Sequence, residues 1–500
     1  MNIRQAKEEV ARAVEVYLAK DENGMYLIPI ERQRPLFLIG APGVGKTAIM
    51  EQVAREMGIG LVSYSMTHHT RQSALGLPYI AERSFDGDSY QVSEYTMSEI
   101  IASVYESMEE TGRREGILFL DEINCVSETL TPAILQFLQY KVFGRHKVPD
   151  GWVVVTAGNP SEYNRSTHDF DVATWDRLKR IDVEPDYAAW KAYALETRVH
   201  PAILAYLEAE TSDFYHIEAT LDGKAFVTAR GWDDLSRVMH VYEQRGIPVT
   251  ERLIAQYVQD ARTAKRFAVY YDLFNKYRSD YQVDAILAGD APAEVTERAK
   301  AAPFDERVAL IGLLTSALAG MLHDTMLEDD TTTRAFEALR EIFAACESGA
   351  EDAADVRMAC GRAAIDFNER VRAGRDARLI SSDECSALAS AARFLRQCAD
   401  EPAALSADQA KEAFFKRAAV LDDKAAAAGA AIDAAYAFLD EAFGVGKETL
   451  LFTTDLSADG AAVAYIGRYG SESYRAHSRE LMLEERAEAL QEQARAALQD

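Results

Sequence analysis

Three short stretches of this 500-residue chain carry residue types at spacings suited to phosphate chemistry. The first is Gly40-Ala41-Pro42-Gly43-Val44-Gly45-Lys46-Thr47, which fits the pattern G-x-x-x-x-G-K-[ST]. Gly40, Gly43 and Gly45 are expected to let the backbone take positive φ and come close to a polyphosphate. Successive amides then form an anion nest at the positive end of a helix. Lys46 reaches the outer phosphates, and the Thr47 hydroxyl is placed to hold Mg²⁺. The second stretch is Gly116-Ile117-Leu118-Phe119-Leu120-Asp121-Glu122. Here Asp121 reads as the metal-side carboxylate and Glu122 as the candidate general base for an attacking water. The third is Gly158-Asn159-Pro160, where the Asn159 amide is placed to sit beside a γ-phosphate and position that water. A nucleotide site follows.

Such side chains converge only if the elements that carry them do. Leu36-Phe37-Leu38-Ile39, Leu61-Val62-Ser63-Tyr64-Ser65, Gly116–Leu120 and Trp152-Val153-Val154-Val155-Thr156-Ala157 are short apolar runs that read as buried strands. A further strand is expected around Ile181–Val183, after a short helix in Asp171-Val172-Ala173-Thr174-Trp175-Asp176-Arg177-Leu178. Parallel strands joined by helices place their ends on one sheet edge, with Arg177 on its rim. An amphipathic helix over Ile3–Ala19, with Val10, Ala13, Val14, Val16 and Tyr17 inward, precedes the first strand. The loop helix ends near Gly58. Phe85-Asp86-Gly87-Asp88, between Pro78–Glu82 and Ser89–Val92, predicts a β-hairpin. Helical spacing resumes over Tyr95–Met108 and again from about Glu128 to Tyr140. Lys141–Gly151 is a basic, turn-rich excursion.

Beyond Tyr187 strand signals fade. Ala188–Arg198 and Pro201–Glu208 read as helices, and Tyr215–Ala219 with Lys224–Val227 as a short hairpin. Thr228 is a possible N-cap for the next helix. Arg230 at that helix start opposes the helix dipole, which an adjacent anion such as phosphate would offset. One helix is expected over Leu253–Tyr277. After Tyr281 the chain is Ala-, Glu- and Arg-rich, with helices over Phe304–Leu322, 333–346, 351–374, 383–399, 407–421 and 424–443 and a charged helix over Arg479–Gln499. Thr449–Thr453 is the one strand candidate there. No catalytic constellation stands out in this part, which reads as a bundle or docking surface.

Length and composition bound the rest. Five hundred residues exceed one core and call for about two to four domains. With 48% hydrophobic and 27% charged residues, the chain is of ordinary globular type. No run is expected to reach bilayer-spanning length, and the N-terminus lacks a signal-peptide core. Cys125, Cys346, Cys360, Cys385 and Cys398 lack CxxC spacing and read as reduced, mostly core residues of a cytoplasmic protein. His68-His69 are adjacent and diverge on a strand, and the other histidines are dispersed, so a metal cluster is not expected. The formal net charge of −27 disfavours nucleic acid and favours a protein partner.

On these residues the N-terminal half, roughly 25–275, resembles an AAA+ ATPase, and within that class the MoxR-like group. Gly40–Thr47 matches Walker A, Ile117–Glu122 Walker B, and Asn159 in Ala-Gly-Asn-Pro the sensor-1 asparagine. Asp176-Arg177-Leu178 stands where the family carries its arginine finger, with Arg180 as a nearby alternative. Arg230 in Thr-Ala-Arg-Gly matches sensor 2, although Ala229 replaces the proline usual before it. The hairpin near 76–95 looks like the family's helix-2 insert, and 141–151 sits where a pre-sensor-1 insert occurs.

The resemblance implies an α/β P-loop NTPase with a parallel αβα sandwich over 1–183, a helical lid over 184–280 and an α-helical C-terminal domain over 281–500. It implies ATP and Mg²⁺ as ligands and a homo-oligomeric ring, usually hexameric, in which Arg177 reaches a neighbour's γ-phosphate. It further implies chaperone-like remodelling, commonly with a von Willebrand factor A domain partner. Two other readings stay open: a nucleotide-gated scaffold with incidental hydrolysis, and a nucleic-acid-linked NTPase.

Overall fold

The computed structural model describes residues 1–68, 74, 76–86, 88–127, 130–143, 145–163, 167, 170–220, 223–348, 356–376, 380–400, 407–444 and 446–479. Two compact units emerge. One comprises Met1–Ala189 with Thr228–Arg230 and Ala373–Ser381; the other comprises Trp190–Val227, Gly231–Arg372 and Ser382–Asp500.

The first unit is built on five strands: β1 (Leu36–Gly40), β2 (Gly60–Ser65), β5 (Gly116–Asp121), β8 (Trp152–Gly158) and β9 (Lys179–Val183). Their order is β2-β5-β8-β1-β9, and every pairing is parallel. A parallel sheet covered on both faces demands unbroken apolar strands, and Phe37, Leu38, Ile117 to Leu120 and Val153 to Val155 are all buried. Helices α1 (Ile3–Leu18), α2 (Lys46–Met57), α3 (Glu99–Thr111), α4 (Thr131–Tyr140) and the single turn α5 (Val172–Trp175) complete it. Asn2 and Gln5 close α1 with a reciprocal capping box. Ala6, Val10, Ala13 and Val14 face inward, whereas Val16 is 51% exposed, which narrows the expected apolar stripe.

Two short hairpins are set into this sandwich. Strands β3 (Pro78–Phe85) and β4 (Asp88–Tyr95) pair antiparallel, and Asp86 takes φ 53°, as the tight turn requires. The hairpin strands are longer than the residues alone suggested, so the following helix begins at Glu99 rather than Tyr95. Strands β6 (Val142–Phe143) and β7 (His146–Lys147) form the second hairpin. Glu94 ties the two together: it accepts from Arg83 Nε at 2.9 Å, Tyr79 Oη at 3.0 Å and Arg145 Nη1 at 2.8 Å. These donors hold its carboxyl down to about 2.

The second unit holds the hairpin β10 (His216–Thr220) and β11 (Gly223–Val227) and a succession of helices, of which Tyr187–Ala189, Ala229–Arg230 and Ala373–Asp376 belong to the first unit. They are α6 (Tyr187–Glu196), α7 (Pro201–Ala209), α8 (Ala229–Gln244), α9 (Glu251–Tyr257), α10 (Ala261–Tyr281), α11 (Val283–Leu287) and α12 (Ala293–Ala301). Then follow α13 (Phe304–Ser348), α14 (Val356–Asp376), α15 (Ser382–Asp400), α16 (Ala407–Phe443), α17 (Lys447–Ala458) and α18 (Gly460–Tyr469). Four expectations change here.

The helix expected over Leu253–Tyr277 is two. Asp260 caps α10 by accepting from Thr263 N at 2.9 Å, and Gln259 O accepts from Phe226 N at 3.1 Å, which holds the break open. The stretches 304–322 and 333–346 are one helix. Thr325 and Thr331 return their hydroxyls to Met321 O and Leu327 O, so the polar middle stays helical. Likewise 407–421 and 424–443 are continuous, with no glycine or proline between them. The strand candidate Thr449–Thr453 lies inside α17, where burial of Phe452 and Leu456 overrides its β-prone composition.

One further expectation needs amendment. The segment Phe304–Ala345 is long and apolar enough to cross a membrane by length and composition. However, 61% of its apolar window is buried inside the protein, as befits a core helix. The expected helix over Arg479–Gln499 lies, but for its first residue, outside the described residues. Cys125, Cys360, Cys385 and Cys398 carry reduced thiols, while the Cys346 side chain lies outside the described residues.

Candidate functional site

The glycine-rich loop leaves β1 and enters α2, whose first-turn amides have no partner within the helix. Gly43 and Gly45 take φ 76° and 96°, as expected of a loop that turns its amides inward. Gly40 does not: it ends β1 in extended pairing, and its missing side chain serves close packing instead. A Cβ there would sit 2.4 Å from Val183 O on β9.

Lys46 is buried at 8% exposure. Its ammonium donates to Gly40 O at 2.8 Å, Ala41 O at 2.9 Å and Asn159 Oδ1 at 2.9 Å. All three acceptors are uncharged. Burial pushes the amine down to about 8, with nearby Arg230 adding to the effect and Asp121 and Glu122 opposing it. A buried cation held only by neutral oxygens, at the positive end of a helix, suits a polyanion.

The metal-side pair is equally close. Thr47 Oγ1 donates to Asp121 Oδ2 at 2.8 Å, and Glu122 N donates to Asp121 Oδ1 at 2.8 Å. A hydroxyl and a carboxylate side by side form the hard-oxygen set Mg²⁺ prefers, with remaining positions for phosphate and water. The residues present therefore fit both ligands.

Glu122 takes φ 55°, a left-handed turn that breaks from β5 and swings its side chain sideways. Its Oε2 accepts from Ser65 Oγ at 3.0 Å and Thr67 Oγ1 at 3.1 Å; Ser65 is the register partner of Asp121, and Thr67 lies two residues further on. Asn124 Nδ2 donates to the Asn159 backbone oxygen at 2.7 Å and so fixes the end of β8. A Cβ on Gly158 would lie 2.4 Å from Asn124 Oδ1, which is why glycine stands there.

Arg230 joins the same end of the sheet. Its amide donates to Gly43 O at 3.3 Å, and the Thr228 side chain packs where a Cβ on Gly43 would be, 2.9 Å away. Arg177 sits exposed beside Leu178, which is buried in the core. Among the described residues no carboxylate lies within 4.0 Å of its guanidinium. Arg180, by contrast, is committed: it pairs with Asp182 at 2.7 Å and stacks over Trp175 at 4.9 Å.

Thus Lys46, Thr47, Asp121, Glu122, Asn159 and Arg230 come together, while Arg177 stands apart, with no carboxylate within 4.0 Å of its guanidinium among the described residues. Ser65, Thr67, Asn124 and Thr228 are the supporting residues that sequence reasoning did not single out as part of the site. Ser65 and Thr67 have no motif; only knowing that β2 neighbours β5 would have brought them to Glu122. Asn124, three residues past Asp121, carried a faint signal by position alone.

The histidines are dispersed in sequence, yet His200, His240 and Glu243 converge, with ligand atoms within 4.8 Å of one another. Hydrogen bonds already account for the cluster. His200 Nδ1 accepts from Ala202 N at 3.2 Å, and its Nε2 faces Glu243 Oε1 at 3.1 Å. His240 Nε2 faces Arg198 O at 3.1 Å. With both His200 nitrogens engaged, the cluster is a helix cap rather than a vacant ligand set. The His68-His69 pair lies outside what is described: His69 entirely, and His68 in its side chain.

This loop, the strand-end acids and the Asn159 amide on a five-stranded parallel sheet make up a P-loop nucleoside triphosphatase module. Residues 35–178 match the family model "AAA domain (dynein-related subfamily)", so this segment is an AAA-family ATPase domain. Among curated proteins, none matches the chain. Among solved structures, the chain is similar to NtrX from Brucella abortus in complex with ADP. The two share 15% identity at a TM-score of 0.24, over 42% of this chain and 40% of NtrX. The match thus spans well under half the length of that protein.

Proposed function

We propose that the protein is an Mg²⁺-dependent, ring-forming ATPase of the MoxR-like type that remodels or matures a protein partner. The observation that carries this reading is the Lys46 ammonium bonded at once to its own loop and to Asn159, with Glu122 and the Thr47–Asp121 pair at the same sheet end. Lys46 and the loop amides bind the β- and γ-phosphates of ATP. Asn159 holds the attacking water, and Glu122 takes its proton as the water oxygen bonds to the γ-phosphorus and the bond to the β-phosphate oxygen breaks. Mg²⁺, held by Thr47 and Asp121, would offset charge on the phosphate oxygens. Arg230 senses nucleotide within the subunit.

Arg177, exposed and unpaired among the described residues, reaches the next subunit's γ-phosphate, and its freedom favours it over the engaged Arg180 for that role. The 184–280 segment serves as the lid and 281–500 as the docking region, with a von Willebrand factor A domain protein as the partner class. The acidic balance of −27 supports a protein target over nucleic acid.

Steady-state ATPase assays and sizing with and without ATP test the proposal. Glu122→Gln should bind ATP, lose turnover and hold the oligomer together; normal hydrolysis by that variant would remove Glu122 as the base. Unchanged wild-type turnover on adding DNA or RNA, with a rise on adding the partner, separates remodelling from the nucleic-acid reading.

A further inference from the structure

A second pocket lies wholly within the helical unit, remote in sequence from the phosphate loop. It has a volume of about 200 Å³ and is framed by α6, α7, α13 and α17. Its space comes from small residues on α13: Gly312, Ser316, Ala319 and Gly320 face it where larger side chains would fill it. A Cβ on Gly312 would meet Ala205 at 3.3 Å, so α7 and α13 pack closely at one end, whereas a Cβ on Gly320 would meet nothing within 4 Å. Leu204, Val308 and Leu451 supply apolar wall.

Two polar features line this space. Thr315 is 3% exposed, and among the described residues its hydroxyl has no hydrogen-bond partner. Thr325 and Thr331 on the same helix return their hydroxyls to the preceding turn, but Thr315 does not. A buried hydroxyl left unmatched is a position that a ligand or water would satisfy. The second feature is acidic. Asp455 and Asp459 are 8% and 4% exposed. Lys191 serves Asp455 at 2.7 Å but also Glu208 at 2.9 Å. Asp459 caps α18 through Ala462 N at 2.8 Å, and among the described residues no cationic nitrogen lies within 4.0 Å of its carboxylate.

Asp455 thus shares Lys191 with Glu208, while Arg198 and His323, the basic groups that act on Asp459, both turn to Asp383, at 4.0 and 3.6 Å. Burial raises the carboxyls of both Asp455 and Asp459, the response of acids short of positive charge. Burial also keeps His240, which lines the pocket, below its ordinary value and so neutral at pH 7.

We propose that this pocket binds a small amphipathic amine, its apolar body against Leu204, Val308 and Leu451, its ammonium drawn to the Asp455–Asp459 end and a polar group met by Thr315. The volume sets the size. A dry cavity of roughly 150 Å³ accepts benzene, so one substituted aromatic ring with a short aminoalkyl arm fits the space here.

Calorimetric titration of the full chain with tyramine, phenethylamine and phenylacetate tests this. Both amines should saturate one site, tyramine the tighter, and phenylacetate should show no saturable binding. Gly320→Leu places a helix-favouring side chain in open space, so the helical signal and ATPase activity should persist while amine affinity falls at least tenfold. Thr315→Val, close in shape, should weaken tyramine about threefold or more. Phenylacetate binding as tightly as the amines, Gly320→Leu binding them unchanged, or no saturable amine binding up to millimolar concentration would each overturn the proposal, the last leaving a pocket that holds water only.

Discussion

The Glu122 carboxylate is held by the Ser65 hydroxyl, 3.0 Å from Oε2, and Thr67 donates to the same oxygen at 3.1 Å. Two donors occupy one oxygen and point the side chain along β2. The pair acts as a rest position for the base. Replacing both hydroxyls, with Ser65→Ala and Thr67→Val together, should raise basal ATP turnover about three- to tenfold, on the order of 0.7–1.4 kcal/mol of barrier. KM for ATP should stay near the wild-type value, since neither side chain touches the phosphate loop. A drop in kcat in steady-state assays would instead make the hydroxyls part of the productive geometry.

Lys46 gives nucleotide affinity a pH dependence whose direction is fixed. Without ligand its amine is lowered to about 8, chiefly by burial. A bound polyphosphate favours the charged amine and raises that value again, so binding takes up a proton in the window above about pH 8. Affinity should therefore be flat from pH 6.5 to 7.5 and weaken by up to about tenfold per unit above pH 8. Titration calorimetry in buffers of different ionisation enthalpy reads the proton directly, and Lys46→Met should abolish both binding and uptake. Affinity constant to pH 9.5 would mean that the free amine stays fully charged.

Much of the catalytic unit was legible because a doubly covered parallel sheet needs unbroken apolar strands. Leu36–Ile39 and Trp152–Ala157 announce themselves, and each runs into a stretch proposed to meet the nucleotide. The strand order was not in the residues, and with it went Ser65 and Thr67, which act only because β2 lies beside β5. Gly40 was assigned to backbone freedom, whereas the sheet uses it to admit Val183 O. In the helical unit the failure was of another kind. Polar residues at 323–332 and 422–423 interrupt the apolar spacing and divide α13 and α16 in the sequence, yet with no glycine or proline at those junctions each helix runs through, while Asp260, a capping residue, divides what periodicity joins. Thr449–Thr453 shows composition yielding to burial.

Asn124 positions Asn159 through the backbone, and Gly158 leaves it room. Gly158→Ala would drive a methyl group to within 2.4 Å of Asn124 Oδ1 and 2.9 Å of Phe37 Cζ. Either Gly158→Ala or Asn124→Ala should lower kcat by roughly ten- to a hundredfold, because a small misplacement of a water-orienting group costs about that much. ATP affinity should change less than about threefold, since Lys46 keeps its loop carbonyls. Equal losses in kcat and affinity, measured by single-turnover kinetics beside nucleotide titration, would assign Asn124 to loop stability instead.

Lys141 is a charge the catalytic site does not use. It closes α4 at φ 58°, is 2% exposed, and donates from Nζ to Leu138 O at 2.6 Å. Burial pushes its amine down to about 7. The unfolded chain, with an ordinary lysine, holds more protons between about pH 7 and 10.4, so stability should rise with pH across that window. Below pH 7 both states are charged and the penalty is fully present. Lys141→Met keeps length and apolar packing, and the strained backbone is common to both proteins. The variant should gain on the order of 1–3 kcal/mol at pH 6.5, after loss of one hydrogen bond, with the advantage shrinking by pH 9. Urea unfolding of the two proteins at both pH values measures this. A difference independent of pH would mean that the Lys141 amine titrates as it does in water.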